Sequence, residues 1–369
     1  MKDPLAKNQR RGGILILVVI LLFVLMAITG LLIDVGMARL TQARMQSVTD
    51  AAAIDGGWQM ALGSDQTEIR DAVIHRTDEL FETWSPKRLE FQGGYDLNND
   101  GIFESSPEID PDITGEPLRH SLNQNLNNEP AGDIVLGNYD ETLIPNVLPG
   151  QPTGYDRTPV FVADADDPDS ILVRLRQTDE QAIPGGTSEG NLPYLWSRGS
   201  LLDLGLKGQG LAVRSESIAK LSPATAVGSA NSESIPSVLS VAIPLTEVVS
   251  ETFNRDSLMT FTDSPEIGAS VIDAPNSTQT GIGYLPIAKQ MASGQWQVIG
   301  FMFASISVDN VVPSTPVEHG FSSANVTSNL ADISNLSDEL IEANQSLNGP
   351  YIARAASLTR SQQITGVSP

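Results

Sequence analysis

The chain has 369 residues and a formal net charge of −23 at pH 7, although its first 33 residues carry a net positive charge. The acidic remainder argues against binding to nucleic acid or to anionic lipid headgroups, because proteins bind phosphate groups with clustered Lys and Arg. The chain contains no Cys, which excludes disulfide bonds, thiol catalysis and metal sites with Cys ligands.

An uncharged apolar segment, residues 14–33, lies close to the N-terminus. As a helix it spans about 30 Å at ~1.5 Å per residue, which matches the hydrocarbon thickness of a bilayer. It is longer than the ~7–15 apolar residues of a cleaved signal peptide, so we predict a retained transmembrane helix. Three basic residues, Lys7, Arg10 and Arg11, precede it. By the positive-inside rule, residues 1–13 are predicted to be a cytoplasmic tail, and the chain after the helix is predicted to lie on the opposite side of the membrane.

The helix is predicted to continue beyond the membrane as part of a helical stem, residues 34–84. Residues 34–53 contain no Pro and a single Gly, and a helical projection separates them into two sides. The apolar side holds Met37, Leu40, Met45, Val48, Ala51 and Ala52, and the polar side holds Arg39, Gln42, Gln46 and Asp50. Two interpretations stay open: the apolar side packs on the protein's own sheet, or it contacts the helices of partner proteins.

The candidate residues for contact with the membrane or with partner helices lie in the same stretch. They are Asp34, Gly36, Arg39, Gln46, Asp50, Ala51, Ala52 and Ala53. The small residues allow close approach of a neighbouring backbone. Asp34 follows the last residue of the apolar segment. Three roles are open for it: its side chain reaches the membrane interface, it pairs with a basic group, or it helps to dock partner helices.

The second half of the stem, residues 64–84, is predicted to be a separate helix. Asp65 and Glu68 have the spacing of a capping box, and Pro86 follows the end of the helix. The apolar stripe of this helix consists of Ile69, Val73, Leu80 and Phe81.

The rest of the chain is predicted to be β-rich, in two regions, residues 85–225 and 226–369. In the first region, strands at 89–91 and 102–103 flank an Asn-Asp-Gly turn, residues 171–175 alternate as a half-buried strand, and 105–158 form a long loop. Residues 222–237 are small and polar, as in a linker. The second region is predicted to contain strands at 238–245, 258–262, 282–287 and 295–308, and short helices at 333–348 and 351–362.

This order of elements predicts an α+β fold. A single transmembrane helix extends into a long helix, and a mainly antiparallel, β-rich exported region follows it. Such a helix lying on an antiparallel sheet is a pilin-like arrangement.

One stretch has the spacing of a calcium site. Asp96, Asn98, Asp100 and Glu104 match positions 1, 3, 5 and 9 of an EF-hand-type loop, with Gly at position 6. Position 12, however, is Pro107 rather than a bidentate Glu. The stretch is therefore either a possible calcium site or a plain Asn-Asp-Gly turn between strands.

No catalytic residues and no required cofactor are predicted. The sequence lacks a nucleophile elbow, a P-loop and a dinucleotide-binding fingerprint, and its three His residues are widely separated. The acidic cluster at residues 164–169 is predicted to be a solvated turn rather than a second cation site.

Residues 10–57 resemble the N-terminus of the TadE/TadG-like proteins of Tad (Flp) pilus assembly. The resemblance lies in an ordered pattern: Arg10-Arg11-Gly12-Gly13, the apolar segment, Asp34-Val35-Gly36, Arg39, Gln46, and Asp50-Ala51-Ala52-Ala53. A fainter resemblance extends to about residue 225, through GGYDLNNDGIFE, SILVRLRQT and GLAVRSESIAKLSPA. Longer relatives contain a metal-dependent adhesion module with an Asp-x-Ser-x-Ser loop. This chain has no such spacing, so the resemblance does not predict an adhesive metal site for it.

The resemblance implies a non-enzymatic structural or accessory component of a Tad-type pilus or secretion apparatus. It also implies a bacterial inner-membrane location, with pilus-assembly or pilin-like partners bound through the N-terminal helix. The alternative is a membrane-tethered exported domain that binds calcium or a cell-envelope ligand; an exported hydrolase has the weakest support.

The N-terminus is expected to stay intact, although the Arg10–Gly13 sequence superficially resembles a prepilin peptidase site. Cleavage after Gly13 would make Val18 the fifth residue, where pilins of that type carry a Glu that neutralises a neighbouring terminal amine. Without that acid, burying the new amine in a fibre would be costly.

Overall fold

A computed structural model describes most of the chain. The described residues are 11–84, 122–139, 161–178, 184–186, 192, 210–227, 235–261, 266–275, 278–324, 326–327, 336–345, 347, 349 and 351–365. The predicted calcium ligands Asp96, Asn98, Asp100 and Glu104, and the strands predicted beside them, lie outside these residues.

The N-terminal apolar segment and the start of the stem form one continuous helix, α1 (Arg11–Leu62), of 52 residues. At ~1.5 Å per residue it is about 78 Å long. Gly63, at φ 82°, ends it in the left-handed conformation. The amides of Gly63 and Ser64 donate to the carbonyls of Met60 and Gln59, both at 3.0 Å, and this hydrogen-bond pattern is a Schellman motif.

A second helix, α2 (Gln66–Trp84), folds back along α1. The carboxylate of Asp65 accepts hydrogen bonds from the amides of Thr67 at 2.8 Å and Glu68 at 2.9 Å. The Glu68 side chain accepts in return from the amide of Asp65 at 3.3 Å. The predicted capping box is therefore confirmed, because it depends only on neighbouring residues.

The two helices lie on one face of a five-stranded antiparallel sheet in the order β14-β4-β3-β1-β2. Its strands are β1 (Ile134–Tyr139), β2 (Phe161–Ala163), β3 (Ser170–Gln177), β4 (Val213–Pro223) and β14 (Arg354–Thr365). The alternation predicted for residues 171–175 is confirmed, because Ile171, Val173 and Leu175 pack beneath the helices. Leu172 lies in a small cluster with Val135 and Ile218.

Two predictions about this sheet are wrong. Strand β1 lies within residues 105–158, which were predicted to form a loop; the strand has only six residues and includes Gly137, so its periodic signal is weak. Residues 351–362 were predicted to be a helix, but residues 354–365 form β14 instead. This strand pairs with β4 along its whole length, so the last part of the second predicted region completes the sheet of the first.

A second, seven-stranded sheet curls until five of its strands close into a ring in the order β7-β8-β9-β11-β10. All neighbours in the ring are antiparallel except β7 and β10. The strands are β6 (Ser237–Val238), β7 (Val241–Pro244), β8 (Met259–Phe261), β9 (Ser270–Pro275), β10 (Gly281–Gln290), β11 (Trp296–Ile306) and β12 (Val311–Pro313). Closure leaves these five strands without a free edge, so their backbone N–H and C=O groups find hydrogen-bond partners within the ring.

The predicted strands at 238–245, 258–262, 282–287 and 295–308 all fall in this ring, with shifted bounds. Helix α3 (Leu245–Val249) follows β7, and helix α4 (Asp338–Gln345) packs on β11 where a helix was predicted at 333–348. A two-stranded antiparallel ribbon of β5 (Ala226–Val227) and β13 (Val326–Thr327) contacts β14.

The ring and the first sheet are joined by the segment just before β14. The amide of Ala353 donates to the carbonyl of Phe301 at 2.7 Å, and the carbonyl of Ala353 accepts from the amide of Ala224 at 2.8 Å. One residue thus links β11 of the ring to the end of β4 in the sheet.

Candidate functional site: the N-terminal helix and its sheet

The first part of α1 exposes its apolar side chains. Within the residues that the structure describes, α1 is the one helix long and apolar enough to cross a membrane. Every Leu, Ile, Val, Phe and Met side chain from Leu15 to Leu32 is exposed. Such a surface is strongly unfavourable in water, where burial of each large aliphatic side chain is worth roughly 1.5–3 kcal/mol.

From Ala38 onward, one face of α1 is buried against the protein itself. The buried residues are Ala38, Gln42, Met45, Gln46, Val48, Thr49, Ala52, Ala53, Gly56, Gly57 and Leu62. This burial favours, for this part of the helix, packing on the protein's own sheet.

The predicted division into an apolar and a polar side is wrong at three positions. Leu40, placed on the apolar side, is 45% exposed, whereas Gln42 and Gln46, placed on the polar side, are 2% and 4% exposed. Strand β4 supplies polar partners for Gln46, so this part of the interface does not require an apolar residue at that position.

Those partners form a buried polar network between α1 and β4. The side-chain amide of Gln46 donates to Asp50 Oδ1 at 2.7 Å, to Ser217 Oγ at 2.9 Å and to the carbonyl of Glu216 at 3.1 Å. Ser217 donates to Asp50, and its hydroxyl lies 3.1 Å from that of Thr49. Because an unmet hydrogen bond in a buried site is costly, this network fixes the rotation and register of α1 on the sheet.

Sequence reasoning singled out Gln46 and Asp50 but missed Ser217, which lies about 170 residues further along the chain. Its signal is weak: a small hydroxyl residue alternates with polar neighbours in β4, as it does in many exposed strands.

Two glycines follow the network and bring the helix into close contact with its neighbours. A Cβ on Gly56 would lie 2.6 Å from Val73 Cγ2 on α2 and 2.7 Å from Ile171 Cδ1 on β3. A Cβ on Gly57 would lie 2.8 Å from the Cβ of Ala356 on β14 and 3.3 Å from that of Ala219 on β4. At both positions, the absence of a side chain allows this close approach, and a larger residue would force a neighbour to move.

The remaining candidate residues lie either on the buried face of α1 or on its outward face. Ala52 and Ala53 are fully buried, Asp50 and Ala51 are half-buried, and Asp34 is 3% exposed although it follows the exposed apolar segment directly. Gly36 and Arg39 face outward, and nothing lies within 4 Å of a Cβ placed on Gly36. These two residues therefore belong to the outward face of α1, opposite the sheet.

Three arginines that sequence reasoning did not identify hold the loop before β1. Arg70 of α2 is 1% exposed and donates to the carbonyls of Gln124 at 2.8 Å and Ile134 at 2.9 Å. Arg174 of β3 donates to the carbonyls of Pro130 at 2.7 Å and Gly132 at 3.1 Å.

The third, Arg176, pairs with the buried carboxylate of Asp133 at 2.6 Å. Burial lowers the pKa of Arg176 to about 10, against the opposing effect of the Asp133 charge. Because these groups bond mainly to main-chain carbonyls, their role is to hold the loop on the sheet.

The described residues contain no group of three His, Asp or Glu side chains placed to hold a metal ion. The acidic stretch at 164–169 folds as the predicted turn. Asp164 accepts from the amide of Asp166 at 3.0 Å, and Asp169 accepts from the amide of Tyr139 at 3.1 Å and from the hydroxyl of Ser170 at 2.6 Å.

Residues 12–59 match the model of a protein family described as putative Flp pilus-assembly TadE/G-like. The matched segment covers both the exposed apolar part of α1 and most of its packed part. The resemblance of residues 10–57 to the TadE/TadG-like group is therefore confirmed. No match is found among curated proteins or solved structures.

Proposed function

We propose that this protein is a structural or accessory component of a Tad (Flp)-type pilus assembly or secretion apparatus. It works through helix packing and extracytoplasmic contacts rather than through catalysis. One observation carries the proposal: the segment matched by the family is a single helix whose first part is exposed and apolar and whose second part is fixed on a sheet.

The proposed topology follows from the charges that flank the apolar segment. The basic residues before it stay in the cytoplasm, and the sheet and ring lie outside the inner membrane. Because α1 continues without a break from one part to the other, a rotation or tilt of the membrane segment is transmitted to the sheet. This is the physical basis for proposing a pilin-like arrangement.

Partner helices would approach the outward face of α1. Gly36 leaves room for a close backbone contact at the end of the apolar segment, and Arg39 lies one turn further on. The opposite face is taken up by the protein's own sheet, so the outward face is the one available to partners.

The test is purification of the tagged full-length protein from native membranes, with its partners identified by mass. We expect other pilus-assembly or pilin-like proteins, and we expect Gly36→Leu to lower their recovery because the new side chain prevents close approach. Ala292→Leu, which adds the same side chain on an exposed turn of the ring, is the matched control. A set of partners without any pilus-assembly protein would refute the proposal.

The orientation has a separate test. A reporter active only outside the cytoplasm, fused after residue 369, should be active, and a reporter active only in the cytoplasm should be silent. The reverse pattern would overturn the proposed topology.

A further inference from the structure

A cleft of about 340 Å³ opens between α1, α2 and residues 322–324. Asp55, Trp58 and Gln59 line it from α1, His75 lines it from α2, and Ser322 and Ser323 line it from the segment before β13. At ~30 Å³ per water, the cleft has room for about ten waters, or for one long side chain with part of its backbone. It lies well away from the exposed apolar segment of α1.

The aromatic side chain of Trp58 lines the cleft. Trp58 is half-buried and packs against the core of the ring, which holds its indole in place. A fixed indole in a cleft of this size offers a flat surface on which a planar or cationic group can stack.

Beside the cleft, two carboxylates share one guanidinium group. Asp55 pairs with Arg76 at 3.3 Å, but Arg76 also pairs with Glu79 at the shorter distance of 2.7 Å. Burial raises the pKa of Asp55, against the opposing effect of Arg76, and Glu79 raises it further. The carboxylate therefore still gains from a second cation, which it can accept because it has more than one free lone pair.

We infer that this cleft binds a single basic side chain, Arg or Lys, presented by a partner polypeptide. The cationic group stacks on Trp58 and pairs with Asp55, while the hydroxyls of Ser322 and Ser323 accept hydrogen bonds from its remaining N–H groups. Charge complementarity identifies the partner: the net charge of −23 attracts basic polypeptides over a distance, and the cleft then selects the inserted side chain. The inference does not depend on the pilus proposal.

The experiment uses the full chain in detergent micelles, labelled with fluorotryptophan. The chain has four Trp residues, so fluorine NMR gives a small set of signals, and Trp58→Phe identifies the signal of Trp58. The probe is N-acetyl-arginine amide, and N-acetyl-citrulline amide is its uncharged analogue of the same shape. We expect the arginine compound to shift the Trp58 signal saturably and the citrulline compound to leave it in place.

Asp55→Asn should weaken the binding of the arginine compound by about threefold to fivefold, as expected for a partly exposed ion pair. Asp256→Asn, which removes an exposed acid far along the chain, should leave it unchanged. Equal shifts with the two compounds, or no saturable shift of the Trp58 signal, would overturn the inference. The two compounds are compared on the unmodified chain, with Trp58→Phe used only to assign the signal, so the comparison decides the question even if Asp55→Asn fails to fold.

Discussion

The contact between Gly57 of α1 and Ala356 of β14 gives the sharpest test of how the last strand joins the first sheet. In Gly57→Ala the new Cβ would lie 2.8 Å from that of Ala356 and 3.3 Å from that of Ala219. Carbon atoms in good contact are ~3.5–4.0 Å apart, so α1 and β14 must separate by roughly 1 Å. Neither partner atom can rotate away, because each Cβ is fixed to its backbone.

The steric cost of the Gly57→Ala substitution can be obtained from a matched pair of variants. Overpacking of this kind costs ~1–3 kcal/mol, while the change from Gly to Ala in a helix gains ~1 kcal/mol. Gly36→Ala receives the same gain without a clash, because nothing lies within 4 Å of its new Cβ. The difference in the free energy of unfolding between the two variants therefore isolates the steric cost, which we expect to be about 1–3 kcal/mol.

The assay is urea denaturation of the full chain in detergent micelles. The urea midpoints of the variants are compared, provided that the dependence of the unfolding free energy on urea concentration is the same for each. Adding Ala356→Gly to Gly57→Ala removes the clashing Cβ, and the double-mutant cycle should give a favourable coupling of about 0.5–3 kcal/mol. Equal stability of Gly57→Ala and Gly36→Ala, or a coupling of zero, would refute the packing of β14 against this turn of α1.

Three further predictions concern other parts of the chain. Asp65→Ala should lower the free energy of unfolding by about 1 kcal/mol, because two amides at the start of α2 lose their acceptor; an unchanged urea midpoint would contradict this. If the loop that begins at Asp96 binds calcium, millimolar calcium should raise the melting temperature of the full chain, and Asp96→Ala with Asp100→Ala should abolish the rise; no shift in the unmodified chain would leave the plain turn as the interpretation. The mass of the protein from native membranes should correspond to an intact N-terminus, and a species that begins at Gly13 or Ile14 would indicate cleavage by a prepilin peptidase.

Local features of the chain were predictable because their causes lie within a few residues. The uncharged segment at 14–33 predicts a transmembrane helix, and in the structure α1 is continuous there and exposes its apolar side chains from Leu15 to Leu32. The spacing of Asp65 and Glu68 predicts the capping box, whose hydrogen bonds join residues three positions apart. Alternation at 171–175 predicts a strand with its apolar side toward the helices, because side chains in a strand point alternately to its two faces.

The candidate site could be predicted only in part. Its position on the helix followed from the pattern of residues 10–57, which singled out Gln46, Asp50 and the small residues; their role in contacts with the membrane or with partner helices stays a prediction. The side of the helix that faces the sheet did not follow, because Gln42 and Gln46 have the composition of an exposed face. The burial of Gln46 depends on Ser217 and its neighbours in β4, and no pattern along α1 reveals those partners.

By itself, the sequence determined the exposed apolar helix, the capped second helix, most strands of the ring and the family resemblance, since each depends on short-range pattern. Only the tertiary structure decided that residues 354–365 are a strand and that they complete a sheet begun more than 200 residues earlier. This segment has no strong preference of its own; it becomes a strand because the open edge of β4 pairs with its backbone at every position from Arg354 to Leu358 and from Arg360 to Thr365. A hydrogen-bonding edge supplied by a distant part of the chain outweighs a weak local preference, and that edge exists only once the chain has folded.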